Sequence, residues 1–294
     1  MNYKKKFQEL TIRDNFMFAA VMMQEENCKR FIEMLLGIKI RKINISYEKS
    51  LIYNPEYKGV RLDVYASDEN NTRYDIEMQV AQQILGKRAR YYHSQMDMDI
   101  LASGQEYKEL PPAYVIFVCD FDPFGMGKYC YTFEKRCLQA LELGMGDFSR
   151  SIFLSTEGKD EENIPRELKA FLDFVKTDAP GNDVEIDDVY VKSLQETIRS
   201  VKENREMERS FMTKEEIRRE GVEEGRIEGR IVERREMIIE CLQELVSEET
   251  SVTLLEELRA RIASETDLNL LKKMTRLVIG ATSAEEFERN ISNL

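Results

Sequence analysis

The segments Arg61-Leu62-Asp63-Val64-Tyr65-Ala66 and Arg73-Tyr74-Asp75-Ile76-Glu77-Met78-Gln79-Val80 decide how this chain is read. They flank a polar, turn-forming stretch, Ser67-Asp68-Glu69-Asn70-Asn71-Thr72. That arrangement predicts a β-hairpin. Strand side chains alternate between faces, so Asp75, Glu77 and Gln79 are expected on one face and Ile76, Met78 and Val80 on the other. On the first strand Leu62 and Val64 are expected to share the apolar face, with Asp63 opposite. The hairpin then presents carboxylates on a polar face backed by an apolar layer. Converging carboxylate oxygens suit a hard cation such as Mg²⁺.

Register decides whether the carboxylates meet. A two-residue turn at Asn70-Asn71 would pair Asp63 with Met78 and send Glu77 to the wrong face. An odd-length loop or a bulge would pair Asp63 with Glu77 or Gln79, so one of the two is expected between Ala66 and Arg73. The residues alone admit two readings: a metal site, or the ordinary wet face of an amphipathic hairpin.

Asp63 followed by Asp75-Ile76-Glu77-Met78-Gln79 and then a helix resembles the PD-(D/E)XK nuclease superfamily. Within it, the chain is similar to the PD-(D/E)XK nuclease family transposases, also called recombination-promoting nucleases. The opening Leu10-Thr11-Ile12-Arg13-Asp14-Asn15-Phe16-Met17-Phe18-Ala19 carries part of that resemblance. The glycine-punctuated segment Gly221-Val222-Glu223-Glu224-Gly225-Arg226-Ile227-Glu228-Gly229 carries more. The likeness covers most of residues 8 to 240. It implies an α/β fold with an αβββαβ core: a mixed central sheet flanked by helices, followed by a long charged helix and a small C-terminal helical module.

By position, Asp63 matches the metal-ligand aspartate and Glu77 the acidic residue of the (D/E)XK element. Gln79 stands where most of the superfamily has lysine. Lysine can orient an attacking water and stabilise phosphate charge, whereas glutamine can only orient by hydrogen bonding. The resemblance therefore implies DNA phosphodiester hydrolysis that is weak or leans more heavily on the metal. Asp63 and Glu77 would hold Mg²⁺ or Mn²⁺, with Gln79 orienting the water. Asp14 and Asp75 are accessory candidates. For Asp75 the bland alternative is a solvated strand residue.

A helix is expected from about Gln82 to Gly104. It contains Lys87, Arg88, Arg90, Tyr91 and Tyr92, a basic and aromatic patch in an acidic protein. Arg and Lys contacts to phosphate supply most sequence-independent nucleic-acid affinity, which makes Lys87, Arg88, Arg90 and Tyr91 candidate DNA contacts. A solvated helix face with half-buried tyrosines fits the same residues. His93 is the sole histidine, so histidine-pair chemistry is excluded, and a structural role is expected for it.

The 294 residues carry a formal net charge of −12, which argues against a generic polyanion-binding protein. The five cysteines show no CxxC or zinc spacing and read as reduced thiols of a cytoplasmic protein. No stretch approaches the ~18–20 apolar residues of a membrane span. Met1-Asn2-Tyr3-Lys4-Lys5-Lys6-Phe7 has no apolar run after it and does not read as a signal peptide.

Along the chain, a first helix is expected from Asp14 to Leu36, stopped by Gly37, and a strand from Lys39 to Tyr53. Ala113 to Cys119 reads as a strand buried on both faces, and Tyr129–Phe133 and Ser151–Ser155 as further strands. Glu167 to Thr177 is a short amphipathic helix, and Asp178 to Asp188 an acidic linker. From Val189 to about Val246 one long charged helix is expected, with a break near Thr213. Its glycines at 221, 225 and 229 mark either an exposed connecting helix or a dimerising seam. Residues 237–294, with Leu242, Leu254, Leu258, Leu271 and Leu277, form a candidate partner-binding or homo-oligomerisation unit of two or three helices. The expected division is a nuclease-like domain at 1–178, a linker and charged helix at 179–236, and the helical module at 237–294.

Three functions compete at this stage. One is a Mg²⁺-dependent DNA endonuclease tied to recombination or mobile DNA. Another is a catalytically weak or inactive descendant kept as a DNA- or protein-binding module. The last is a scaffold that oligomerises through its C-terminal helices.

Overall fold

The computed structural model describes residues 5–51, 59–101, 103–178, 186–247 and 250–294. Most of the expected acidic linker, including Pro180-Gly181, and the end of the first expected strand lie outside those residues. Chain contacts separate two compact units, Met1–Phe211 and Met212–Leu294.

The expected first helix is two helices, α1 (Asn15–Met22) and α2 (Glu25–Leu36). The break falls at Met23-Gln24, where Gln24 is extended. Asn27 sends its side-chain amide back to the Val21 carbonyl at 3.1 Å, which satisfies an end group of α1 and lets the chain turn. Helix α1 is buried from Met17 to Met22, while α2 shows one face to solvent. Gly37 stops α2 in the left-handed conformation, φ 65°, with its N–H on the Glu33 carbonyl.

The antiparallel strands β1 (Ile43–Leu51), β2 (Val60–Asp68) and β3 (Arg73–Gln79) follow. Helix α3 (Leu85–Ile100) then returns the chain to β4 (Ala113–Cys119), which runs parallel to β3. After β4 come β5 (Cys130–Phe133) and a ribbon of β6 (Arg136–Cys137) and β7 (Ala140–Gly144) that the sequence reading lacked. β8 (Ser149–Ser155) pairs parallel with β4, and β5 closes the edge. The described six-stranded sheet has the order β1-β2-β3-β4-β8-β5. This is the expected mixed sheet of the αβββαβ core.

β4 sits at its centre and is buried on both faces, as its unbroken apolar run predicts. Ile116 and Val118 face a core built with α1, α2, α4 (Arg166–Thr177) and α5 (Val189–Glu203). Val115, Phe117 and Cys119 face a second core under α3. Both faces of the sheet are therefore covered, so the polar face expected to be wet lies under a helix.

Leu62 and Val64 do not share one apolar layer: Val64 packs with the α1/α2 core and Leu62 with the α3 core. The described β2–β3 ladder runs from Ser67↔Arg73 to Val64↔Ile76, so the simple alternation assumed from sequence holds only along that stretch.

The long helix breaks at Asn204, not near Thr213. Asn204 is extended, and its Oδ1 accepts from Glu206 N at 2.8 Å and Met207 N at 3.2 Å, capping α6 (Arg205–Glu244). The first compact unit runs past the 178 boundary expected from sequence, because Tyr190, Val191, Leu194 and Ile198 of α5 are buried in the α1/α2 core.

Residues Glu216 to Gly229 of α6 are all exposed. The second unit packs α7 (Val252–Ser264), α8 (Leu268–Gly280) and α9 (Ala284–Ile291) around Ile238, Leu242, Leu258, Leu271 and Phe287. Among the described residues, no helix is long and apolar enough to cross a membrane. All five cysteines are free.

Candidate active site

The hairpin between β2 and β3 has an odd loop. Asp68 N–H meets the Thr72 carbonyl at 3.2 Å, leaving Glu69, Asn70 and Asn71 as the turn. Asp68 Oδ1 accepts the N–H groups of Asn70 and Thr72, both at 2.9 Å, and Asn71 takes φ 64°, a conformation that asparagine tolerates. The ladder ends at Val64↔Ile76, and Asp63 and Glu77 are the next residues on the two strands. The Asp63 N–H donates to Glu77 Oε1 at 3.0 Å. The odd loop thus brings the two candidate metal ligands together.

Glu77 and Asp75 are fully buried, and Gln79 is 6% exposed. Neither Asp75 oxygen has a hydrogen-bond partner. Burial raises the Asp63 carboxyl to about 7, helped by the Glu77 charge and opposed by Arg88 and Arg61. Burial also drives Asp75 well above its ordinary range, with the Glu77 and Asp63 charges adding to it. Glu77 is raised too, because burial outweighs the lowering by Arg88 and the Asp63 amide.

Arg88 supplies the opposing charge. Expected on an exposed basic patch, it instead turns inward from α3. Its guanidinium donates to Glu77 Oε2, to Gln79 Oε1 at 2.8 Å, and through Nε to Tyr92 Oη at 2.6 Å. It also lies over the rings of Tyr92 and Phe117, at 4.9 and 5.5 Å from their centroids. Lys87 and Arg90 are exposed on the outer side of α3, and Tyr91 is half-buried against its inner core. Spacing along a helix separates these faces: Arg88 and Tyr92 are four residues apart and share one, while Arg90 falls on another.

Asp14 is engaged elsewhere. Its carboxylate accepts from Lys5 at 2.8 Å and from the Thr11 N–H at 2.8 Å. The next residue, Asn15, reaches the site, donating from Nδ2 to Asp63 Oδ2 at 3.1 Å. Sequence reasoning missed Asn15; its only signal was adjacency to Asp14 in the opening motif.

The donor set has the chemistry of a hard-cation site: buried carboxylate oxygens, two of them unpartnered on Asp75. Among the described residues, however, no group of three or more His, Cys, Asp or Glu side chains is spaced to hold a metal. Both Glu77 oxygens are engaged, by the Asp63 amide and by Arg88, so a cation at Glu77 requires Arg88 to give way.

Neither the curated proteins nor the solved structures contain a match to the chain. Residues 13–134 match the family model described as PD-(D/E)XK nuclease family transposase. That span begins just before α1 and takes in Asn15, Asp63, Asp75, Glu77, Gln79 and Arg88, but stops short of the glycine-punctuated helix. In the segment that carries its candidate site, residues 13–134, the chain is similar to the PD-(D/E)XK nuclease family transposases.

Proposed function

We propose that the chain is a Mg²⁺-dependent DNA endonuclease associated with recombination or mobile DNA. The observation that carries this reading is the meeting of Asp63, Glu77 and Gln79 with the cation of Arg88. Asp63 and Glu77 would hold the metal, and Asp75 supplies further buried oxygen beside them. When bound, the metal polarises the scissile phosphate and lowers the pKa of a coordinated water.

The remaining roles fall to the chain itself. Gln79 orients the attacking water by hydrogen bonding. Arg88 replaces the missing lysine from a different element, stabilising charge on the phosphate through a guanidinium already bonded to Gln79. Asn15 holds Asp63 in place. Lys87 and Arg90, exposed on the outer side of α3, are proposed to contact the DNA backbone.

A specific observation favours a second reading. With both Glu77 oxygens engaged, the fold can persist as a weakly active or inactive DNA-binding module. Plasmid nicking by the full chain in Mg²⁺, Mn²⁺ or EDTA separates the two. Metal-dependent nicking that is lost in Asp63→Ala and Glu77→Ala is the expected outcome. Plasmid binding without nicking under any metal would establish the binding module instead.

A further inference from the structure

A cleft of about 480 Å³ lies on the flank of α3 away from Arg88, against the starts of β4 and β8 and the ends of β5 and the ribbon. Its lining combines an apolar wall with hydroxyl and imidazole groups and several charged side chains. Leu110, Phe133 and Met145 supply the wall. Phe133 is 49% exposed and is braced edge-on by Phe153 at 5.6 Å, which leaves ring surface open. The polar part holds Ser149, Ser151 and the sole histidine of the chain. His93 Nε2 lies 3.2 Å from Ser151 Oγ, and its Nδ1 is buried without a partner. Burial, reinforced by Lys135, lowers the imidazole to about 4, so the ring is neutral near pH 7.

The cleft lining carries two cationic and three anionic side chains. Lys135 pairs with Asp147 at 2.5 Å, Glu134 with Arg136 and Arg150, and the remaining Arg90 and Asp97 have opposite signs. Such a lining holds most of its charge in ion pairs and has no surplus cation for a phosphate. It suits a flat, uncharged heterocycle that stacks on an aromatic ring while its edge exchanges hydrogen bonds with imidazole, hydroxyl and carboxylate groups.

We infer that this cleft is a nucleobase-binding site. The occupant's identity rests on the nuclease reading. Arg88 and Arg90 are two residues apart on α3, the first in the candidate active site and the second in the cleft. They project about 200° apart around the helix, so a strand with its phosphate at the first reaches the second by bending over the first turn of α3, where Gly86 lines the cleft, and places an unstacked base there.

The single histidine provides the probe. The full chain, labelled at histidine, is titrated with adenosine, cytidine, guanosine and thymidine, and with ribose alone, while the His93 ring resonances are followed by NMR. At least one nucleoside is expected to shift them saturably in the millimolar range, with ribose leaving them unmoved. Ser94→Trp, which fills the cleft from an exposed helix position, is expected to weaken that binding at least tenfold with unchanged circular dichroism. No shift with any nucleoside, or an equal shift with ribose, overturns the inference whether or not Ser94→Trp folds. Plasmid nicking without nucleoside binding would sink the base site alone. Nucleoside binding without nicking would sink the nuclease reading alone.

Discussion

Arg88 Nη1 donates to Gln79 Oε1 at 2.8 Å, joining a helix cation to the residue that stands in the usual lysine position. The pair predicts a functional exchange. Arg88→Met should lower nicking by about 10²–10³-fold, the range for removing one preorganised donor to developing charge. Gln79→Lys in that background should recover part of the loss, because it returns a cation from β3. Single-turnover nicking of supercoiled plasmid by the two variants measures both effects, and an Arg88→Met enzyme as active as the parent would remove Arg88 from the mechanism.

Asn15 reaches Asp63 at 3.1 Å from the first turn of α1. Asn15→Ala should cost about 1 kcal/mol of positioning, roughly a fivefold drop in rate. Asn15 is exposed, so the melting temperature should barely change. The metal-concentration dependence of nicking checks the assignment: a loosened Asp63 should also raise the Mg²⁺ concentration needed for half-maximal rate.

The buried carboxylates predict a pH dependence of stability without metal. Asp63 is raised from 3.8 to about 7. Below pH 4 both folded and unfolded states hold its proton. Between about 4 and 7 the unfolded state has released a proton that the native state keeps, so stability falls as pH rises. Asp63→Asn and Asp75→Asn should flatten this window and raise Tm at pH 7, by roughly 2–4 °C for each kcal/mol recovered. Thermal melts in EDTA from pH 4 to 8 test it. A parent protein that gains stability across that range contradicts the burial argument.

Two kinds of glycine should respond with opposite signs. A Cβ on Gly158 would lie 2.2 Å from Cγ of Tyr129, inside a buried ring. Gly158→Ala should therefore destabilise by about 1–3 kcal/mol. At Gly221, Gly225 and Gly229 an added Cβ meets nothing within 4 Å. Alanine at each should stabilise α6 by about 1 kcal/mol. Chemical denaturation of the single variants distinguishes them.

Much of the fold was legible in sequence because it follows from local chemistry. The buried run Ala113 to Cys119 marked the central strand, and Gly37 marked the end of α2. The odd hairpin loop followed from requiring Asp63 and Glu77 to share a face. What escaped was set by tertiary contact. Asn27 bonding back to Val21 splits the first helix without a glycine or proline to signal it. Asn204 caps α6 from within a charged run that reads as continuous helix. The face of Asp75 and Glu77 reads as wet, because no strand pattern reveals that α3 folds over it. For the same reason Arg88 reads as a surface cation: the other basic residues beside it, Lys87 and Arg90, are exposed, and only the path of α3 turns it toward Glu77.

The turn at Glu69, Asn70 and Asn71 also limits how this chain can vary in length. If the three-residue turn were kept, inserting or deleting one residue there would slide one strand against the other, moving Asp63 away from Glu77 while leaving every residue type intact. A change of two residues, with the turn again kept, would restore the shared face but set Asp63 against Asp75 or Gln79. Length drift at this exposed tip is therefore tolerable only where the turn itself absorbs it and the pairing above stays put.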